Sequence, residues 1–224
     1  MNRRTVLASA SAAAVAGAFG VYWWQGSASN STGFAVANAQ TSDTSEVDTS
    51  IVVEMTMGDP EAPVEVIEYA SYTCPHCASF HKNAFKQVKT EFIDTGKVHF
   101  IYREVYFDRP GLWASLVARC GGPVRFFGIN DLLYEQQRSW TGGDPQTIVE
   151  NLRKIGRTAG LDDAMLDSCM QDADMAQALY AKYQENVERD AIRSTPSFLI
   201  NGTLVSGDQS FSQMSSLIEA ELPS

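Results

Sequence analysis

The chain has 224 residues, 44% of them apolar and 10% aromatic, which is enough to bury one substantial core but cramped for two independent domains. Its 27 acidic residues outnumber the 17 basic ones and give a formal net charge of -10, which argues against nucleic acid as a partner.

At the N-terminus Arg3 and Arg4 precede an uncharged run from Thr5 to Trp24, a basic start followed by the apolar segment of an export signal. Two readings of residues 1–25 stay open. One is a signal peptide cleaved at the small-residue site Ala37-Asn38-Ala39; the other is an uncleaved N-terminal membrane anchor. Alanine and serine content weakens the anchor, whereas the distance from Trp24 to Ala39 and the cluster Tyr22-Trp23-Trp24, similar to an interfacial belt, weakens cleavage. Asn2-Arg3-Arg4-Thr5 is a weak match to a twin-arginine signal. Either way the expected location is the periplasm or cell envelope. Residues 26–50, rich in Ser, Thr, Ala, Asn and Gly and without periodicity, read as a flexible linker.

The folded part is expected from Ile51. Ile51 to Met57, closed by Gly58-Asp59-Pro60, reads as a short strand, and Val64 to Tyr69 as a second, more central one. Pro75 suits the first position of a helix, where a missing N–H costs nothing, so a helix opens there carrying Phe80, Ala84, Phe85 and Val88. Lys97 to Arg103 forms the next strand and completes a right-handed βαβ unit with a parallel pair.

From Asp108 to about Ile192 the periodicity is helical, punctuated by Gly121-Gly122-Pro123, Gly142-Gly143 and Gly160. Strands Pro196 to Ile200 and Thr203 to Ser206 then flank Asn201-Gly202, a strong two-residue hairpin signal, and Phe211, Met214, Leu217 and Ile218 mark a last helix. Neither flanking part completes a sheet alone. The expected fold class is α/β, one domain whose first part (51–107) and second part (193–224) are separated by a helical insert (108–192).

The chemistry centres on Cys74-Pro75-His76-Cys77. Cysteines at i and i+3 in the first helical turn lie near the Cα separation of about 5.5 Å that a disulfide needs. At the N-cap, Cys74 faces unpaired backbone N–H groups and the positive end of the helix dipole, so its thiolate is favoured and its pKa is expected to fall. A stabilised thiolate leaves readily, which suits a disulfide donor. A His76 imidazolium would lower the pKa further; the alternative is an exposed helix residue. Cys77, pointing back under the helix, is expected to be the resolving thiol. Half of a zinc site is the competing reading, but Cys120 and Cys169 are isolated and supply no second pair, so no metal is expected.

Two segments carry a resemblance. Glu68 to Cys77 is similar to the active-site segment, and Thr195-Pro196-Ser197-Phe198-Leu199-Ile200-Asn201-Gly202 to the cis-proline segment, of the DsbA-like branch of the thioredoxin superfamily. The resemblance covers about Ile51 to Leu222. It implies a thioredoxin-like fold, a mixed sheet of βαβ and ββα parts with an inserted helical subdomain. It implies that Thr195-Pro196 is a cis peptide beside the disulfide, with the Thr195 backbone binding an extended substrate strand. Glu68 corresponds to the buried acid of many relatives and would relay a proton to Cys77; the alternative is an exposed charge at a strand end. Thr195 departs from the valine of the best-known DsbA oxidases and leaves an isomerase open. His81, one turn after Cys77, either adds to the local positive field or faces water, with water the expectation, and His99 carries no signal.

Cys120 and Cys169 are either two buried thiols or a structural disulfide, and export favours the bond. It would close a loop of about 50 residues and stabilise the fold by roughly 4 kcal/mol.

The expected function is thiol–disulfide exchange that donates disulfides to exported proteins with free cysteines. No cofactor is needed, and the resemblance implies reoxidation by a quinone-linked membrane thiol oxidase. A disulfide isomerase or reductase using the same pair is the nearest alternative, and a copper- or zinc-delivery protein a more distant one.

Overall fold

The computed structural model describes residues 47–223, so residues 1–25 and all but the end of the linker lie outside the described residues. Among the described residues no helix is long and apolar enough to cross a membrane.

The first strand is shorter than its apolar run. Thr49–Ile51 forms a 3-10 turn whose Ser50 N–H donates to the Asp48 carboxylate, and only Met55–Met57 (β1) pairs as a strand. The apolar residues are contiguous over 51–53 and alternate only from Val53 on, and Ile51 and Val53 stay exposed while Met55 is buried.

Val64–Ala70 (β2) is the centre of a five-stranded sheet of order β1-β3-β2-β4-β5, where β3 is Val98–Glu104, β4 Ser197–Ile200 and β5 Thr203–Ser206. β2 runs parallel to β3 and antiparallel to β4. At the β4–β5 turn Asn201 and Gly202 both take positive φ, 43° and 83°, the conformation a two-residue hairpin turn demands.

Successive residues of a strand face opposite sides, and both faces of β2 are covered. Val64, Val66 and Ala70 join Phe80, Phe85, Phe100 and Phe198 in the larger core. Ile67 and Tyr69 join Ile101 and Ile192 on the other face, against Tyr183 and Val187. Glu68, two residues from both Val66 and Ala70, points the same way as the first set and lies on the larger core's side, entirely buried.

The helix opened by Pro75 is not continuous. It runs Pro75–Lys82 (α1), leaves the helical region at Asn83, whose side-chain amide donates to the Ser79 carbonyl at 2.9 Å, and resumes as Ala84–Val88 (α2). A single π-type turn, Lys89–Ile93, ends it.

Between β3 and β4 lie Arg109–Cys120 (α3), Gly122–Glu135 (α4), Gln137–Trp140 (α5), Pro145–Thr158 (α6), Asp163–Met170 (α7) and Ala173–Arg189 (α8). Asp108, Asp144, Asp162 and Asp172 cap α3, α6, α7 and α8, each carboxylate accepting a backbone N–H of the first turn. Phe211–Glu221 (α9) closes the described chain behind a Ser210–Gln213 capping box.

Candidate active site

Cys74 is the N-cap of α1, in extended conformation, and Pro75 is the first helical residue. A helix start leaves its first N–H groups without partners in the helix, and the N-cap sulfur sits where they point. Cys74 and Cys77 are both free thiols, 8% and 0% exposed. The Cys74 thiol donates to the Thr195 carbonyl at 3.4 Å, and the Thr195–Pro196 peptide is cis. The β2–α1 turn and the segment before β4 therefore meet at one sulfur, although they are distant in sequence.

The two thiols are driven apart. The Cys77 thiol, donating to the Cys74 sulfur, does most to lower the Cys74 pKa, to about 5; burial opposes this, and the Cys77 and His76 backbone N–H groups assist. Thr195 acts both ways. Its carbonyl accepts from the thiol and favours the protonated form, while its hydroxyl oxygen, buried without a hydrogen bond, belongs to a donor suited to the thiolate. The His76 side chain is exposed, and what this residue gives the sulfur is its backbone N–H. Cys77 is pushed far above an ordinary thiol, chiefly by burial, then by its hydrogen bond to Cys74 and by the Glu68 charge.

Under Cys77 the arrangement departs from the expectation for His81, which does not face water. It is 1% exposed, and its Nε2 meets both oxygens of the buried Glu68 at 2.9 and 3.1 Å. Its ring stacks on Tyr134 of α4 with centroids 4.1 Å apart and lies 4.5 Å from the Phe85 ring. The physical reason is that α4 packs across α1 and closes the face on which His81 sits, and a carboxylate already buried in β2 supplies the partner an imidazole needs there. The Tyr134 hydroxyl pairs with that of Tyr102 at 2.7 Å, so the rings around the pair are themselves fixed.

Cys120, the last residue of α3, is joined to Cys169 of α7 in a disulfide with a Cα separation of 5.6 Å. The bond ties two insert helices together and takes no part in the Cys74 environment. Among the described residues no group of three or more His, Cys, Asp and Glu side chains is placed to hold a metal ion.

Residues 50–220 match the thioredoxin family. A protein named as a protein-disulfide oxidoreductase in Rickettsia bellii is 32% identical over 150 residues, which cover 66% of this chain and 57% of that protein. The chain thus spans less than two thirds of that relative's length. Among solved structures, alpha-DsbA1 of Wolbachia pipientis has a TM-score of 0.69 at 26% identity, covering 75% of this chain and 89% of its own. A protein-disulfide isomerase from Novosphingobium aromaticivorans has a TM-score of 0.64 at 26% identity, covering 75% and 96%.

Proposed function

We propose, since the chain belongs to the thioredoxin family in its DsbA-like branch, that it donates disulfides to exported proteins through Cys74 and Cys77. The observation that carries this reading is the opposed shift of the two thiols, Cys74 down to about 5 and Cys77 far up, three residues apart on one helix.

In the proposed cycle the oxidised pair meets a substrate thiolate. That thiolate attacks the Cys74 sulfur, the Cys74–Cys77 bond breaks, and the departing Cys77 sulfur takes up a proton because its thiolate is disfavoured. The second substrate thiolate attacks the substrate sulfur of the mixed disulfide. Cys74 then leaves as a stabilised thiolate, two electrons have passed to the enzyme, and the substrate carries the disulfide. Glu68, held by His81 beneath Cys77, is the group proposed to supply and take back the Cys77 proton. Thr195 and Pro196 are proposed to receive the substrate backbone beside Cys74.

Reoxidation is assigned to a membrane thiol oxidase linked to quinone, and the site of action to the periplasm or cell envelope. The basic start of the chain, its long uncharged run and the oxidising chemistry of the pair support that placement.

Isomerisation is the second reading, favoured by Thr195 before the proline and by the similarity to the Novosphingobium protein. Trapping thiols in cells separates the two. A donor is held with Cys74 and Cys77 bonded at steady state, whereas a pair held as dithiol overturns donation in favour of isomerisation or reduction.

A further inference from the structure

Gln137 is the first residue of α5, in the helical insert, yet its side chain ends at the active-site turn. It is buried, and its Nε2 donates to the Tyr72 carbonyl at 2.8 Å and to the Cys74 carbonyl at 2.8 Å. A primary amide carries two N–H donors on one nitrogen without a charge, so it can hold two carbonyls together in a buried place where a lysine would need a counter-ion.

These two carbonyls flank Thr73 and bracket the turn through which β2 becomes α1. The turn's own bonds are modest: the Cys74 N–H donates to the Ser71 carbonyl at 3.1 Å, and the Thr73 N–H approaches the Ser71 hydroxyl at 3.4 Å. Among the described residues Gln137 is the one insert side chain that hydrogen-bonds backbone carbonyls of this turn. Trp140, three residues on, fixes α5 in turn, its indole N–H donating to the Leu133 carbonyl at 2.8 Å.

We propose that Gln137 is a positioning residue for the redox pair: from the insert it clamps the Tyr72 and Cys74 carbonyls and thereby aims the Cys74 sulfur at the donors that stabilise its thiolate. The inference rests on the reading of Cys74 as the reactive thiol. The contacts that favour that thiolate are directional, coming from the Cys77 side chain, the Thr195 side chain and the Cys77 and His76 backbone N–H groups. All of them depend on the extended N-cap backbone of Cys74, φ -79° and ψ 120°, which the clamp fixes from its carbonyl side. Releasing the clamp leaves the Cys74 carbonyl with the Ala78 N–H alone, at 3.2 Å, and the buried Tyr72 carbonyl short of a donor, so the N-cap is held from the helix side only.

The test is a thiolate titration of reduced full-length protein, followed by ultraviolet absorbance and by Cys74 alkylation rate against pH. Gln137→Met keeps length and shape and removes both donors. The thiolate-to-thiol ratio at Cys74 is expected to fall about tenfold, a midpoint rise of about one pH unit. The pair should become less oxidising by about 30 mV, the equivalent of that factor for a two-electron couple. Asp162→Ala, which removes the cap of α7 far along the insert, serves as the control for general loosening and is expected to keep the parent midpoint.

If Gln137→Met does not fold, Gln137→Ala removes both donors without adding bulk or charge and is expected to raise the midpoint in the same sense. A folded Gln137 variant with the parent midpoint overturns the clamp while leaving Cys74 as the reactive thiol. An equal shift in Asp162→Ala overturns it too. A parent protein that titrates as an ordinary thiol overturns the underlying reading of Cys74, and the clamp with it.

Discussion

Lowering the pH through the Cys74 transition is the most direct perturbation of the proposed chemistry. The sulfur is expected to titrate near 5 in the folded dithiol, against an ordinary value of 9.0. A depressed folded pKa contributes stability that is fully present above the unfolded value and is lost as pH falls through the folded one, so the window runs from about 9 down to about 5. Near pH 7, two of the four units are expressed, which is about 2.7 kcal/mol in favour of the reduced protein. For a two-electron couple that makes the pair roughly 60 mV more oxidising than it would be with an ordinary thiol at Cys74. The raised Cys77 thiol stays protonated across this window and adds no slope there. The oxidised protein has no Cys74 thiol, so its stability lacks this dependence. Denaturant unfolding of both redox forms is therefore expected to show a gap that widens by about 1.4 kcal/mol per unit of rising pH across the window. The reasoning is refuted if the gap is flat there while thiolate absorbance places the Cys74 midpoint in the ordinary thiol range.

Replacing Cys74 by serine is expected to abolish exchange with reduced, unfolded protein. Cys77→Ser is expected to accumulate mixed disulfides at Cys74, visible by non-reducing electrophoresis, and parent activity in either variant would end the redox reading. Glu68→Gln is expected to slow the Cys77-dependent release of a preformed Cys74–glutathione disulfide by about a hundredfold, the lower range of acid–base assistance, with Cys74 alkylation little changed. Equal slowing of both reactions would remove Glu68 from proton transfer. Converting Cys120 and Cys169 together to alanine is expected to keep exchange activity and to lower unfolding free energy by roughly 4 kcal/mol, as the loss of a cross-link closing a loop of about 50 residues implies. An unchanged denaturation midpoint would show that the bond does not brace the insert.

What the sequence discloses about this site follows distance along the chain. Cys74 to Cys77 is four residues whose local geometry is nearly self-determined, since Pro75 starts the helix and thereby puts Cys74 on the cap. Asn201-Gly202 announces its turn for the same reason, because two consecutive positive φ values suit few other pairs. His81 shows the opposite case. Followed by Lys82 and Asn83, it has the local company of a surface residue, and only α4, far along the chain, buries it and brings Tyr134 to its ring. Gln137 gave no signal at all, because a glutamine in a polar stretch looks alike whether its amide meets water or two carbonyls. The interruption at Asn83 was equally silent: a lone asparagine in a helical pattern does not say whether its amide will turn back on the preceding carbonyl.

The opposed behaviour of the two sulfurs follows from their places on one helix rather than from any difference in side chain. At the N-cap the Cys74 sulfur accepts from the Cys77 thiol, which does most to stabilise its negative charge, and the unpaired N–H groups of the helix start add to this against the opposing effect of burial. Three positions on, the Cys77 side chain is wholly buried, and the charge it meets from Glu68 is of the wrong sign for a thiolate. An electron pair left on the couple therefore settles on Cys74, and a proton on Cys77. For an exchange reaction that order matters, because the sulfur able to leave as an anion is also the one beside Thr195, where a substrate backbone is proposed to lie. Reversing the roles would put the anion beneath the helix against Glu68 and leave the N–H groups facing a neutral thiol, losing both interactions at once. The proposed direction of attack thus follows from Pro75 opening the helix, which puts Cys74 at the N-cap and Cys77 within the first turn.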